Sequence, residues 1–179
     1  MILSKLRLIC KNQKGFTLVE MLMVVTLVGL LSTGITAALM QLLTINSRSS
    51  NHMIAVRQVQ QAGKEVSKDA LQAQSVDASG SSGFPLTLTW DEWGTNDTHE
   101  VIYDLVDMPY GEYKKLQRSH SVNDEEPTVT LVAEHIDLAD TNCYPLGVLP
   151  PNGKLIFTVT ATVGGQSETR VYEIEPRPS

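Results

Sequence analysis

The side chain with the clearest chemical potential is Glu20, an acid at the entrance of a long apolar run. No formally charged residue follows it until Arg48. A carboxylate inside a bilayer costs about 2–4 kcal/mol, so an intramembrane acid indicates a functional role and requires a cationic partner. A cut between Gly15 and Phe16 would create an α-amino cation four residues from Glu20. Glu20 could then pair with that amine, in its own chain or in a neighbour.

The apolar run is long enough to cross a membrane. Residues 16–43 number 28, which as a helix would extend roughly 42 Å, whereas the hydrocarbon core of a bilayer is about 30 Å thick. No acid precedes Gly15, but four cations do: Lys5, Arg7, Lys11 and Lys14. The positive-inside rule therefore predicts a cytoplasmic N-terminus and an exported C-terminal part.

An ordinary secretory signal is the alternative interpretation of this segment. Such a signal carries its small-residue cleavage site after an apolar core of about 7–15 residues. Here the small residue at the border between basic and apolar sequence is Gly15, which precedes the core. The order of features favours a short basic leader that is cut ahead of the membrane segment.

Residues 14–25, with Gly-Phe-Thr-Leu-Val-Glu at their centre, resemble the class III signal of type IV pilins, competence pilins and the pseudopilins of type II secretion. The resemblance implies that prepilin peptidase cleaves between Gly15 and Phe16 on the cytoplasmic side. It also implies that the new amine of Phe16 is N-methylated, and that Glu20 neutralises the terminus of a neighbouring subunit during assembly. Composition and spacing alone indicate only a cationic leader, a spanning segment and one unpaired acid.

Four segments follow from these features. They are a leader at 1–15 that is removed, a transmembrane and assembly helix at 16–43, an amphipathic continuation at 44–75 and an exported β-rich domain at 76–179. In the continuation, apolar or small residues recur at spacings of three and four, which predicts the buried face of a helix: Val56, Val59, Gly63, Val66, Ala70 and Ala73. The predicted fold class is α+β, with a long N-terminal helix packed on an antiparallel sheet.

The exported part changes to a period of two. Residues 75–83 are rich in Ser and Gly and predict a loop. Alternation of apolar and polar residues then predicts strands at residues 86–90, 101–105, 113–119, 129–132, 155–163 and 169–174. The last two are predicted to form a hairpin through residues 164–167, and residues 140–153 are predicted to be irregular.

Charge argues against a nucleic-acid surface. The chain carries a net charge of −6, and removal of a leader with four cations leaves −10. Phosphate neutralisation needs clustered Lys and Arg, and the exported part has one basic cluster, at Lys114, Lys115 and Arg118. We interpret this cluster as a solvated sheet edge, where basic residues discourage further strand pairing.

Metal binding, disulfides and catalysis find little support in the sequence. An acidic cluster invites a calcium interpretation but lacks EF-hand spacing, so a solvated acidic turn is predicted: Asp91, Glu92, Asp97, Glu100 and Asp104.

Cys10 lies in the leader, which leaves Cys143 without a partner and predicts a buried thiol. The four histidines are scattered, and no nucleophile or cofactor motif occurs: His52, His99, His120 and His135. We therefore predict neither an enzyme nor a bound cofactor.

A second resemblance concerns residues 86–174, whose order of strands and Lys-Leu-x-Arg segment is similar to larger minor pilins and the J-type minor pseudopilin. It favours a minor structural subunit, with prepilin peptidase, other pilin subunits and an inner-membrane platform as partners. A pilus, a type II secretion system and a DNA-uptake pilus remain as contexts. The protein would lie in the cytoplasmic membrane before entering a periplasmic or surface filament. A different class is a single-pass anchored module whose exported domain binds a ligand.

Overall fold

The computed structural model describes residues 15–78, 80–146 and 153–177. The predicted leader up to residue 14, Ser79 in the predicted loop, and residues 147–152 of the predicted irregular stretch lie outside the described residues.

Helix α1 spans Leu18–Ala70, 53 residues. Its first part belongs to a compact unit that ends at Asn46, and the remainder to a second unit that begins at Ser47. In the first unit the apolar side chains are exposed, and an 18-residue window reaches a mean hydropathy of 2.1. Length and composition therefore suit a membrane span, in agreement with a single-pass anchor.

Polar side chains within this apolar segment satisfy their hydrogen bonds inside the helix. The hydroxyl of Ser32 donates to the carbonyl of Val28 at 2.7 Å, and that of Thr36 donates to the carbonyl of Ser32 at 2.9 Å. Such bonds to the preceding turn remove unpaired donors from an environment without water. The hydroxyl groups are thus compatible with a helix surrounded by lipid.

The second unit packs helix α1 on a sheet of eight strands, all paired antiparallel. The order is β1-β2-β3-β4-β5-β7-β6, and β8 pairs with β7. The strands are β1 Ser75–Ala78, β2 Leu86–Asp91, β3 Thr98–Asp107, β4 Lys114–Val122, β5 Thr128–Ile136, β6 Asn142–Leu146, β7 Lys154–Val163 and β8 Gln166–Ile174. The predicted α+β class, a long N-terminal helix on an antiparallel sheet, is confirmed and is pilin-like.

The buried stripe of the helix matches the predicted periodicity with one shift. Val59, Gly63, Val66 and Ala70 are buried as predicted, and Ala73 is buried just beyond the helix. Val56 is only half-buried, and the preceding Ala55 is buried in its place. At Gly63 the helix approaches β8 so closely that a Cβ atom would lie 2.0 Å from the ring of Tyr172.

The helix ends five residues earlier than predicted, at Ala70 rather than residue 75. Residues 75–78, predicted as loop, form strand β1 and pair with β2. Val76 and Ala78 are partly buried against the core while Ser75 and Asp77 are exposed. Burial that alternates every second residue and hydrogen bonds to β2 make this segment a strand, although its Ser and Gly content predicted a loop.

Three predictions about strands need correction. Strand β4 lies between β3 and β5, so the cluster of Lys114, Lys115 and Arg118 is not on a sheet edge. Strand β5 runs to Ile136 as one element, past the predicted end at residue 132. Strand β6 occupies part of the stretch predicted to be irregular. The sequence did not predict β6 because Pro145 disfavours a strand, although proline is tolerated in a strand at the edge of a sheet.

The final hairpin forms as predicted, with a tighter connection. Strands β7 and β8 pair along their whole length, from Leu155 opposite Ile174 to Val163 opposite Gln166. Only Gly164 and Gly165 separate them. Alternate residues of β7 enter the core beneath the helix: Leu155, Phe157, Val159 and Ala161 are all buried.

Candidate functional site

The predicted cleavage junction lies in an open segment. Gly15 and Phe16 are exposed and precede the first helical residue, Leu18. Phe16 is 74% exposed. The bond between Gly15 and Phe16 therefore lies outside the helix and is exposed to solvent.

Glu20 has a local role at the start of the helix. The hydroxyl oxygen of Thr17 accepts a hydrogen bond from the backbone N–H of Glu20 at 3.3 Å, and the carbonyl of Thr17 accepts one from Met21 at 3.1 Å. Thr-x-x-Glu is the capping-box pattern, and an acid in the first turn favours the positive end of the helix dipole. The ion pairs of the described residues do not include Glu20.

A second group of polar residues lies on the inward face of the sheet, where β2, β3 and β4 extend past the end of the helix. Trp90 follows the buried Leu86 and Leu88 on β2. His99 shares its face with Val101 and Tyr103 on β3, and Arg118 and His120 share theirs with Leu116 on β4. Register places Trp90 opposite His99, and Val101 opposite His120. Strand alternation thus collects these polar side chains on one surface.

Two of the histidines described as scattered are in contact. Nδ1 of His99 lies 3.0 Å from Nε2 of His120, and Nε2 of His99 lies 3.4 Å from a carboxylate oxygen of Glu92. The Trp90 ring is nearly parallel to the His99 ring, with centroids 5.2 Å apart. Burial, followed by the positive charge of Arg118, lowers the pKa of His120. This shift favours the neutral imidazole of His120.

The helix is joined to this surface through a buried carboxylate. Asp69 is 2% exposed. Its oxygens accept hydrogen bonds from the Tyr103 hydroxyl at 2.6 Å and from Arg118 Nε and Nη2 at 2.6 and 3.3 Å. Tyr103 and Arg118 are direct partners across β3 and β4. One helical acid thus ties two strands to α1.

The Asp69 network changes how its members ionise. Burial, together with the hydrogen bond and charge of Asp69, raises the pKa of Tyr103. Burial by itself would lower the pKa of Arg118, but the hydrogen bond and charge of Asp69 outweigh it and raise that pKa. Arg118, interpreted from sequence as a solvated residue, is therefore a half-buried ion-pair partner. The signal that could have revealed it is a charged residue two positions from Leu116, on the same strand face.

The polar side chains border a cleft of about 370 Å³. Its lining includes Trp90, Glu92, Trp93, His99, Arg118 and His120. No group of three His, Cys, Asp or Glu side chains suitable for a metal occurs among the described residues. The acids of the β2–β3 turn are engaged locally: Asp91 accepts a hydrogen bond from Thr98, and Asp97 accepts one from Asn123. These bonds stabilise the turn.

Cys143 is buried in β6, as predicted. Burial raises the pKa of its thiol from 9.0 to about 12. Because folding favours the neutral thiol, its contribution to stability is present below about pH 9 and is lost as the pH rises towards 12.

We expect iodoacetamide at pH 8 to leave Cys143 unmodified in the folded protein and to alkylate it in guanidinium chloride. Mass spectrometry of the peptide containing Cys143 measures both states, and equal labelling would contradict a buried thiol.

Comparison with known proteins returns one match. The family model described as the prokaryotic N-terminal methylation motif matches residues 10–36. No curated protein and no solved structure matches the chain. The matched residues include the exposed Gly15–Phe16 junction, the capped Glu20 and the first part of the apolar helix. This chain carries the prokaryotic N-terminal methylation motif, the signal of type IV pilins and pseudopilins.

Proposed function

We propose that this protein is a minor structural subunit of a type IV pilus-like filament, processed by prepilin peptidase and assembled through its N-terminal helix. The observation that supports this function best is the methylation motif at residues 10–36, with its cleavable junction exposed ahead of a membrane-length helix. Nothing in the described fold nominates a catalytic nucleophile and its base. The function is structural.

In this proposal the residues of the N-terminal signal have separate roles. Prepilin peptidase cuts between Gly15 and Phe16 at the cytoplasmic face, and the new amine of Phe16 is N-methylated. The carboxylate of Glu20 then pairs with the amine of a neighbouring subunit as helices bundle. An unpaired charge in such a low-dielectric bundle is expensive, whereas a pair is tolerated, so this contact selects the register of assembly.

The assignment to a minor subunit rests on the order of strands in the exported domain, which is similar to larger minor pilins and the J-type minor pseudopilin. A minor pseudopilin of type II secretion and a subunit of a DNA-uptake pilus are the alternatives. In each system the subunit resides in the cytoplasmic membrane with its sheet domain exported, and an inner-membrane platform extracts it. The net negative charge of the mature chain disfavours general nucleic-acid binding.

Processing is the first test. We expect the protein from cells with prepilin peptidase to start at Phe16 and to be heavier by one methyl group, and the protein from cells without the peptidase to retain Met1. Intact mass and N-terminal sequencing measure both. A chain that starts at Met1 in both strains would contradict the filament proposal and favour the anchored binding module.

Assembly separates Glu20 from the cleavage site. We expect Glu20→Ala to be cleaved normally but to enter sheared filaments at least about tenfold less, because leaving a buried charge without its partner costs about 2 kcal/mol or more. Glu126→Ala is the matched control, since it removes an exposed acid outside the N-terminal helix. Equal incorporation of Glu20→Ala and Glu126→Ala would exclude an assembly role for Glu20.

A further inference from the structure

The facing ring nitrogens of His99 and His120 are almost as far apart as two ligands of one metal ion. The facing nitrogens lie 3.0 Å apart. Two imidazole nitrogens on one tetrahedral zinc ion lie roughly 3.3 Å apart, because each Zn–N bond is about 2.0–2.1 Å long. The two nitrogens therefore lie within a few tenths of an ångström of the spacing of two ligands, and a rotation of both rings would make their lone pairs converge on one ion.

We propose that His99 Nδ1 and His120 Nε2 bind one divalent transition-metal ion, such as Zn²⁺ or Cu²⁺. Without a metal, the Glu92 carboxylate favours the His99 tautomer with its proton on Nε2, and in that tautomer Nδ1 of His99 accepts the Nε2 proton of His120. On metal binding the proton of His120 moves to its Nδ1, so both rings stay neutral and both facing lone pairs point to the ion. Solvent completes the coordination shell.

Glu92 supplies the support that metal-binding histidines usually have. Its carboxylate lies 3.4 Å from Nε2 of His99, on the side of the ring opposite His120. A carboxylate that accepts the second N–H of a ligating imidazole fixes its tautomer and makes it a stronger ligand. Glu92 also accepts a hydrogen bond from Thr95 at 3.4 Å, which orients the carboxylate.

The sheet sets the position of both rings. His99 and His120 stand on adjacent strands in fixed register, Val101 being the direct partner of His120. The ring of Trp90 lies nearly parallel to both, at interplanar angles of 6° and 13°. Ligands held by strands and by packing keep their geometry better than ligands on loops. The His99 side chain is 16% exposed, so solvent reaches it.

The cleft admits an ion with its water ligands. Trp93 at its border is 92% exposed, and the cleft volume of about 370 Å³ accommodates several waters. Three cations line the cleft: Lys68, Arg118 and Arg177. Of these, Arg118 is paired with Asp69, which reduces its repulsion of a metal ion. Imidazole ligands favour zinc, copper and nickel, whereas calcium and magnesium prefer oxygen. The site is therefore selective for the first group.

The direct test is titration of the full chain in detergent, without a histidine tag. We expect one Zn²⁺ per chain by isothermal titration calorimetry and no binding of Ca²⁺. Loss of either ligand, in His99→Ala or His120→Gln, is expected to weaken zinc binding more than tenfold. Glu92→Gln removes only the supporting carboxylate and is expected to weaken it by about 10-fold, at the lower end of the effect of such partners.

The other two histidines provide matched controls. His52 is exposed on the helix, and His135 adopts a φ of 59°. The variants His52→Ala and His135→Asn remove these imidazoles and leave the residues of the cleft unchanged. Asparagine is chosen because it tolerates a positive φ. Both variants should bind zinc as the parent chain does. Loss of binding in either of them, with normal binding in His99→Ala, would overturn the proposal.

Tryptophan fluorescence provides a second, spectroscopic readout of metal binding. In Trp93→Phe the remaining tryptophan is Trp90, stacked on His99. We expect Cu²⁺ to quench its fluorescence with saturation at one ion per chain, and EDTA to restore it. Quenching that does not saturate, or that is unchanged in His120→Gln, would show adventitious surface binding and refute the site.

Discussion

Replacing Asp69 with alanine is expected to destabilise the sheet domain by about 3–5 kcal/mol, the range observed when one partner of a buried ion pair is removed. The carboxylate accepts three hydrogen bonds from Tyr103 and Arg118. Without it, a half-buried guanidinium and a buried hydroxyl lose their common partner. Thermal unfolding of the full chain in detergent, followed by tryptophan fluorescence, should show a midpoint lower by roughly 10 °C.

The control for this prediction is Asp77→Ala. Asp77 is exposed on the edge strand β1, and a surface substitution of this kind changes stability by within about 0.5 kcal/mol. Tyr103→Phe removes only one hydrogen bond from the network and is expected to cost about 1–2 kcal/mol. A midpoint for Asp69→Ala equal to that of Asp77→Ala would contradict a stabilising role for the network.

A double variant distinguishes the ion pair from general damage to packing. Asp69→Leu with Arg118→Met replaces both charges by apolar groups of similar length. Replacing a buried pair as a unit is often nearly neutral, so the double variant should recover part of the stability that Asp69→Leu alone loses. A loss equal to the sum of the losses in Asp69→Leu and Arg118→Met would show that the charges act independently.

Replacing Gly83 with alanine is expected to cost about 3 kcal/mol or more, combining about 1–2 kcal/mol of left-handed strain with about 1–3 kcal/mol of overpacking. Gly83 has a φ of 79°, and a Cβ there would lie 1.6 Å from the carbonyl oxygen of Cys143. That oxygen belongs to strand β6, whose N–H at Cys143 donates to the carbonyl of Ser82 at 2.8 Å. A Cβ atom at Gly83 would therefore meet a backbone oxygen of β6, and the hydrogen bond between Cys143 and Ser82 holds the two segments together.

Gly165→Ala separates the two contributions. Gly165 has a φ of 75°, close to that of Gly83, but a Cβ there meets nothing within 4 Å. Its variant should lose only the conformational part, about 1–2 kcal/mol. The difference between the two midpoints in urea unfolding then measures the clash with β6. If the two variants lose the same stability, the carbonyl of Cys143 yields freely and the close approach has no structural importance.

Elements with strong local patterns were predictable from the sequence. The final hairpin alternates over nine or more residues per strand, and the amphipathic stripe at Val59, Gly63 and Val66 follows the helical period. Strand β6 was missed because five residues that include Pro145 carry no alternation. The helix end was misplaced because residues 71–75 lack a strong stop signal, and pairing of β1 with β2 decides where the chain leaves the helix.

The N-terminal signal was determined by the sequence alone. The basic residues before Gly15, the predicted cleavage bond between Gly15 and Phe16 and the acid at Glu20 are defined by their covalent order, and the predicted membrane helix depends on one contiguous apolar stretch. Hydropathy and peptide chemistry are local properties, so no tertiary contact is needed to read them.

The polar surface was decided only by the tertiary structure. His99 and His120 are 21 residues apart in the chain, and Asp69 lies 34 and 49 residues from Tyr103 and Arg118. Their contacts depend on the register of β3 with β4 and on where the helix ends above them. A shift of one residue in either strand would turn these side chains to the opposite face. Long-range pairing therefore determines whether separated polar residues form a network, a chelate or a solvated surface.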